Sequence, residues 1–365
     1  MSQNYFKIFK AMTKYDPYIK EIGNVLGHGP HSEVREIIMN KNKICAGKLI
    51  EKQKNQNSDV KFLKGKNIVN IHKIISEILE NKYYELILME KAVLKDLGTL
   101  NLAYFKKNLL SHIYNPFDEI LGDNFLRFYA KQIINALNLF KQYNYIHNDI
   151  KPQNILVTFN FILKLTYFTL LTKIKDKETT IPGGTTGYLP PEYYKNSQVD
   201  SKVARKQDYF ALGSTLYFLK YGKQMLKYND KNEKIVIADE IVELLEKQRD
   251  NIKSEKLFDR EFINFLCSLI EYKPEDRPCF EEIYRNIWLN KNSKQIKNIY
   301  SVNLGEEEKM IVEFQKSDFL IEIEKEIEKD LNLENEIISK ENKNVKKDAN
   351  KKKKNNLCRF RFKKK

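Results

Sequence analysis

Three features of the sequence predict an α+β fold in two lobes, a small β-rich one and a larger helical one, followed by a charged C-terminal tail. Residues 19 to 93 divide into five short segments of alternating or continuous apolar character, cut by Gly-Pro and Asn-Lys-Asn breakers. From Asp123 onward apolar residues recur at helical spacing. After Trp288 the composition turns strongly charged. A mostly β segment followed by a mostly α segment is the signature of segregated α+β architecture.

In chain order, residues 1–18 read as an N-terminal extension. They mix Lys, Asp, Asn and Tyr and lack the apolar stretch of a signal peptide. Strands are predicted at Tyr18–Leu26, Glu33–Met39, Lys43–Ile50, Ile68–Ile75 and Tyr84–Met89, forming a first lobe over 19–90. Lys91–Asp96 reads as a connector and Gly98–Gly122 as a helix plus an insertion. The second lobe, 93–290, opens with a helix over Asn124–Asn144, where Phe125, Phe128, Ile133, Leu137 and Phe140 keep the period. Phe210–Tyr221, Ile235–Glu246 and Arg260–Ile270 follow as helices. In 291–340, Phe319, Leu320, Ile323, Ile327 and Leu331 recur at spacings of three and four among Glu and Lys. That pattern suits a solvated amphipathic helix or a short coiled coil. Residues 341–365 read as a basic, disordered tail.

The chain has 365 residues with 42% hydrophobic and 31% charged side chains, a globular balance with enough apolar material for a sizeable core. No apolar run approaches the ~18–20 residues that span a bilayer. Four cysteines, Cys45, Cys267, Cys279 and Cys358, have no metal-ligand or disulfide spacing, which suggests a reducing compartment. The net charge is +15, of which Lys346–Lys365 carries +10. An anionic partner, lipid or nucleic acid, would therefore meet the tail and not the body.

The chemistry concentrates in His147-Asn148-Asp149-Ile150-Lys151-Pro152-Gln153-Asn154, between a periodic helix and an apolar run. Phosphoryl transfer to a hydroxyl needs a carboxylate to take the proton, a cation near the phosphoryl group and an oxygen ligand for a metal. Asp149, Lys151 and Asn154 supply these within one loop. The segment resembles the catalytic loop of eukaryotic protein kinases, with Lys151 in the serine/threonine style. Other segments resemble further landmarks of that family over residues 19 to 290. Leu26-Gly27-His28-Gly29 resembles the glycine-rich loop, with Ser32 in place of the third glycine. Cys45-Ala46-Gly47-Lys48 resembles the strand whose lysine holds the α- and β-phosphates. Met89-Glu90-Lys91-Ala92 resembles the gatekeeper and hinge. The resemblance implies that Val34, Ala46 and Leu156 sandwich adenine, and that Met89, Glu90 and Ala92 border it. Gly184-Thr185-Thr186-Gly187 through Glu192, Asp208 through Gly213, and Pro274 through Pro278 resemble the activation-segment end and two later landmarks. They imply a Glu192–Arg277 pair. Leu63, Ile71, His147 and Phe168 are expected to stack, with His147 a packed core residue.

The sequence departs from the family where a metal-binding Asp is expected. Tyr167 stands there, and Thr169 replaces the following glycine. A phenol of pKa ~10 is neutral at pH 7 and a poor Mg²⁺ ligand, which leaves Asn154 as a weak one. Asn148 replaces the Arg that grips a phosphorylated loop; Thr172, Thr179 and Thr180 accordingly read as solvated residues. Asp59 is a candidate partner for Lys48 in a shortened helix, or a solvated helix cap.

The resemblance thus implies a serine/threonine protein kinase-domain protein that binds ATP between its lobes, with weak transfer of the γ-phosphate to protein Ser/Thr. Its cofactors would be ATP and, against the loss at Tyr167, Mg²⁺. Two alternatives stand: a fully inactive pseudokinase acting as scaffold or allosteric partner, and a fully active kinase with a compensating metal ligand. The partner would be a protein substrate or signalling partner. The expected location is cytoplasmic, or nuclear or membrane-surface through the tail.

Overall fold

The structure, a computed structural model, describes residues 2–29, 32–52, 63–92, 96–100, 123–158, 162–226, 238–255 and 259–291. The first lobe is a five-stranded antiparallel sheet of β1 (Ile19–Gly29), β2 (Ser32–Met39), β3 (Ile44–Lys52), β4 (Ile71–Leu79) and β5 (Lys82–Met89), in the order β1-β2-β3-β5-β4. The alternation predicted from sequence fixes which face each side chain takes. Cys45 and Leu49 of β3 join Leu86 and Leu88 of β5 in one apolar cluster. Ala46 turns to the other face and packs with Val69 and Met89. Gly47 is required by close approach, because a Cβ there would lie 2.6 Å from Ile37 Cγ1. β4 and β5 join through Glu80 and Asn81, both at positive φ, as a two-residue hairpin demands.

β4 begins later than the predicted Ile68. Ile68 and Val69 turn aside to meet the second lobe, where Ile68 bridges Leu165 and the Val69 N–H donates to Leu165 O at 3.0 Å. The N-terminal extension also holds an element the sequence reading did not assign. Helix α1 (Ser2–Thr13) places Ile8, Phe9 and Met12 at helical spacing on the sheet face formed by Ile37, Cys45, Leu49, Ile75, Tyr84, Leu86 and Leu88. Asp16 anchors the exit, accepting from Tyr18 N–H and Lys73 Nζ, each at 3.0 Å. Phe9 is fully buried. Phe9→Ala is expected to cost about 3–5 kcal/mol, measured as a lower urea midpoint of the whole chain. A loss below about 1 kcal/mol would mean that α1 adds nothing to the sheet.

The second lobe is helical. The helix Asp123–Gln142 buries Ala130, Ile133, Ile134, Leu137 and Phe140. The helix Lys206–Tyr221 is buried over nearly its whole length and ends at Gly222, whose φ of 67° suits the left-handed cap. Ala238–Ser254 runs eight residues past the predicted Glu246, its later turns held by buried Ile252, by Gln248 donating to Met225 O at 3.1 Å and by the Arg249–Glu271 pair. Arg260–Leu269 lies where predicted, and fully buried Trp288 stacks on Phe265 at 5.5 Å and meets the tilted ring of Phe262 at 5.0 Å. The Glu192–Arg277 pair forms as expected. The expected helix within 98–122 lies almost wholly outside the described residues, and the amphipathic pattern at 319–331 and the basic tail lie wholly outside them. No described helix is long and apolar enough to cross a membrane.

Candidate active site

The candidate catalytic residues sit on one short loop, and its shape follows from a buried anchor. Asp208, near the start of the helix Lys206–Tyr221, accepts from the backbone N–H of His147 at 2.8 Å and of Asn148 at 2.9 Å. Complete burial pushes its pKa up to about 7, against the pull of those two donors. Asn148 sits at φ 66°, a left-handed conformation that Asn tolerates better than most residues. His147 is fully buried, and burial lowers its pKa to about 4, so the ring is neutral. Its Nδ1 lies 3.2 Å from the Asp149 N–H and its Nε2 lies 2.9 Å from Thr166 O. The ring thereby links the loop to the residue before Tyr167, and it packs edge-on to Phe168 at 5.8 Å. Both the predicted packing role of His147 and its contact with Phe168 are present; Ile71 packs in the same apolar group as Phe168.

Asp149 is gripped on both oxygens. Thr185 Oγ1 donates to Oδ1 at 2.6 Å and Asn154 Nδ2 donates to Oδ2 at 2.6 Å. Lys151 Nζ lies 3.4 Å from Oδ2 and donates to Thr185 Oγ1 at 2.6 Å. The structure therefore brings together Asp149, Lys151 and Asn154, and adds Thr185 from 36 residues along the chain. This set can orient a hydroxyl at the carboxylate with a cation beside it. The roles of Thr185 and Asp208 were not assigned from sequence, although both stand inside motifs that signalled their region.

Val34 of β2 and Leu156, two residues beyond the loop, pack against the cluster of Ala46, Val69 and Met89. This apolar surface has the character of a site for a flat heteroaromatic base. Glu90 follows Met89 and is fixed by its side chain, which accepts from the Asn70 N–H at 2.7 Å and pairs with Lys164 at 3.1 Å. Ala92 follows in the link between the lobes. Leu26, Gly27 and Gly29 lie on the β1 edge; Leu26 is exposed, and a Cβ on Gly27 would meet nothing within 4 Å, which leaves open space over the cleft.

Lys48 and Tyr167 meet beside this apolar group, in a cavity they line with Val69 and Met89. Lys48 Nζ stands 3.6 Å from the centroid of the Tyr167 ring, a cation–π contact. Burial lowers the Lys48 pKa to about 7; Asp149 opposes that shift, while Lys151 and Lys52 add to it. Asp59, the candidate partner of Lys48, lies outside the described residues; neighbouring Lys52 pairs with Glu85 at 2.6 Å. The Tyr167 hydroxyl is pushed above its usual pKa by burial and then by Asp149, so it stays neutral. A divalent metal is poorly served here. The donors are one amide side chain and a neutral phenol, Asp149 is already engaged on both oxygens, and no cluster of three metal-ligating side chains occurs among the described residues.

The segment after Tyr167 corrects one expectation. Thr179 is not solvated: it is fully buried, its hydroxyl lies 2.8 Å from Ser201 Oγ, and it accepts from the Lys175 N–H. A two-strand pairing of 178–180 with 198–200 carries it inward. Thr172 is half-buried and tied to the Asn148 amide at 3.0 Å, which also donates to Leu170 O at 2.7 Å. Thr180 is exposed, as expected.

Comparison with known proteins agrees with this geometry. The family model "Protein kinase domain" matches residues 20–289. "Aurora kinase" of Saccharomyces cerevisiae is 28% identical over 285 residues, covering 74% of this chain and 69% of that protein. "Aurora kinase" of Eremothecium gossypii is 31% identical over 169 residues, 45% of this chain and 42% of the relative. "CBL-interacting serine/threonine-protein kinase 12" of Arabidopsis thaliana is 27% identical over 290 residues, 76% and 54%. The chain thus spans only about half the length of two of these three relatives.

Proposed function

The chain belongs to the eukaryotic protein kinase family, with serine/threonine kinases among its relatives, and from that premise we propose that it is a nucleotide-binding kinase domain whose transfer of the γ-phosphate to protein Ser/Thr is weak. One observation carries the reading: among the described residues it is the Tyr167 ring, and not a carboxylate, that faces Lys48. ATP suits the site. Val34, Ala46, Met89 and Leu156 take the base, Glu90 and Ala92 border its edge, Gly27 and Gly29 cover the phosphates with Leu26 at the rim, and Lys48 takes the first two phosphates. Asp149 would accept the proton of the acceptor hydroxyl, held in place by Thr185 and Asn154, with Lys151 beside the transferring group. Members of the family use Mg²⁺ with ATP; here Asn154 is the one expected ligand left, so binding should depend little on the metal.

Thermal-shift titration tests this. ATP and ADP are expected to stabilise the protein to a similar degree, EDTA to change little, and Lys48→Met to abolish the shift. A shift that needs Mg²⁺ would contradict the weak-metal reading. The scaffold alternative is favoured by the same ring, because it fills part of the cleft, and no shift with any nucleotide would select it. The same reading takes 19–290 as the kinase domain, between an extension over 1–18 and a charged segment over 291–340. It gives the protein a protein substrate or signalling partner in the cytoplasm, and the basic tail over 341–365 a charge-driven contact with anionic lipid or nucleic acid that would draw it to a membrane surface or the nucleus.

A further inference from the structure

We propose that Tyr167 is the specificity-determining residue of the phosphate end of the cleft. Its ring holds the Lys48 ammonium, so phosphates must displace it while a base and ribose need not. The inference rests on the nucleotide-binding reading above.

The contact is close and has no competitor among the described residues. At 3.6 Å from the ring centroid, Nζ lies well inside the ~6 Å range of a cation–π interaction. Lys48 is 7% exposed, and no carboxylate of the described residues pairs with it within 4.0 Å. A buried ammonium without a paired anion needs other compensation, and the negative face of the ring supplies it.

The ring is also held from behind. Thr166 is tied through its carbonyl to His147, and Phe168 packs on Phe140 at 6.2 Å and on His147 at 5.8 Å. Both chain neighbours of Tyr167 are therefore fixed, and the ring can leave chiefly by rotating its own side chain. The cavity between β3–β5 and residues 166–169, which Tyr167 helps to line, has a volume of about 30 Å³, whereas a benzene-sized group needs on the order of 150 Å³.

Val34 and Leu156 pack with Ala46 and Met89 in an apolar group that does not include Tyr167, although Met89 and Val69 share a cavity wall with it. The proposed obstruction lies at the Lys48 contact, where it would act on phosphates more than on a base, a matter of specificity and not of general closure.

Calorimetric titration of the full chain in EDTA with adenosine, ADP and ATP tests the proposal, with Tyr167→Phe, Tyr167→Leu and Tyr167→Ala beside the wild type. The expected result is about ten-fold tighter ADP and ATP binding for Tyr167→Leu and Tyr167→Ala. Adenosine should stay within about two-fold in every variant, and Tyr167→Phe, which keeps the ring, should match the wild type. ADP affinity equal in all four proteins overturns this inference and leaves the nucleotide reading intact. An equal gain for adenosine also overturns it, since the ring would then block the whole cleft. Binding of none of the three ligands to any variant removes the nucleotide reading and this inference together.

Discussion

Arg277→Ala is expected to lower the stability of the chain by about 3–5 kcal/mol, the usual cost of breaking a buried ion pair. The guanidinium is fully used. Nη1 and Nη2 meet the two Glu192 oxygens at 2.6 and 2.7 Å, Nε donates to Glu271 O at 2.8 Å, and the remaining donors reach Lys206 O and Tyr272 O, each at 3.2 Å. All five N–H groups therefore have acceptors, and the plane lies 5.0 Å from the centre of Phe210. The side chain is buried, and Glu192 is 17% exposed. Removing the arginine strands a carboxylate and three carbonyls at once, which is why the cost exceeds that of an ordinary surface pair. Arg277→Lys should recover little, since three donors on a point charge cannot reproduce a bidentate fork. Guanidinium denaturation of the three proteins measures the differences, and a loss below about 1 kcal/mol for Arg277→Ala would mean that the pair is dispensable to the fold. Because Glu192 closes the segment that begins at Tyr167, the same variant should also loosen residues 178–200, read as faster amide exchange there.

How far the sequence spoke for itself depended on the range of each interaction. Strand alternation is local, so β1, β2, β3 and β5 could be read to within a few residues. The start of β4 could not, because Ile68 and Val69 answer to Leu165, almost a hundred residues away. Helix α1 carries its period openly in Tyr5, Ile8, Phe9 and Met12. What makes so short a helix stable is the sheet face beneath it, and no local window contains that face. The loop from His147 to Asn154 was legible because its chemistry is packed into eight residues. Thr185 completes it from a distance, and only the folded chain shows that its hydroxyl joins Asp149 to Lys151. Thr179 illustrates the opposite error. A threonine in a polar stretch reads as solvated until the pairing of 178–180 with 198–200 carries it inside. At Tyr167 the sequence disclosed the loss of a carboxylate, but the use of the phenol ring as a seat for Lys48 depends on where two distant backbones come together.

Tyr167→Asp is expected to raise phosphoryl transfer to a Ser/Thr substrate by at least about ten-fold, a change of only ~1.4 kcal/mol in the barrier. Three arguments converge on it. The acceptor side is already built, with Asp149 oriented by Thr185 and Asn154 and accompanied by Lys151. The backbone at 167 already has φ 69° and ψ 62°, a left-handed conformation that Asp adopts more readily than Tyr, so the replacement relieves strain. The change also removes the ring from Lys48 and sets a carboxylate near it, which should keep the ammonium charged. Adding Thr169→Gly should raise the rate further by freeing the backbone where the family motif turns. Asp149→Asn on the restored background must erase the gain, which separates true catalysis from a contaminating kinase. Radiolabelled phosphate transfer with Mg²⁺ and with Mn²⁺ provides the measurement. A wild type that already turns over at an ordinary ~1–100 s⁻¹ would sink the argument, because another group would then hold the metal. A restored variant that binds ATP tightly yet stays inactive would move the defect away from Tyr167 and onto the partner of Lys48.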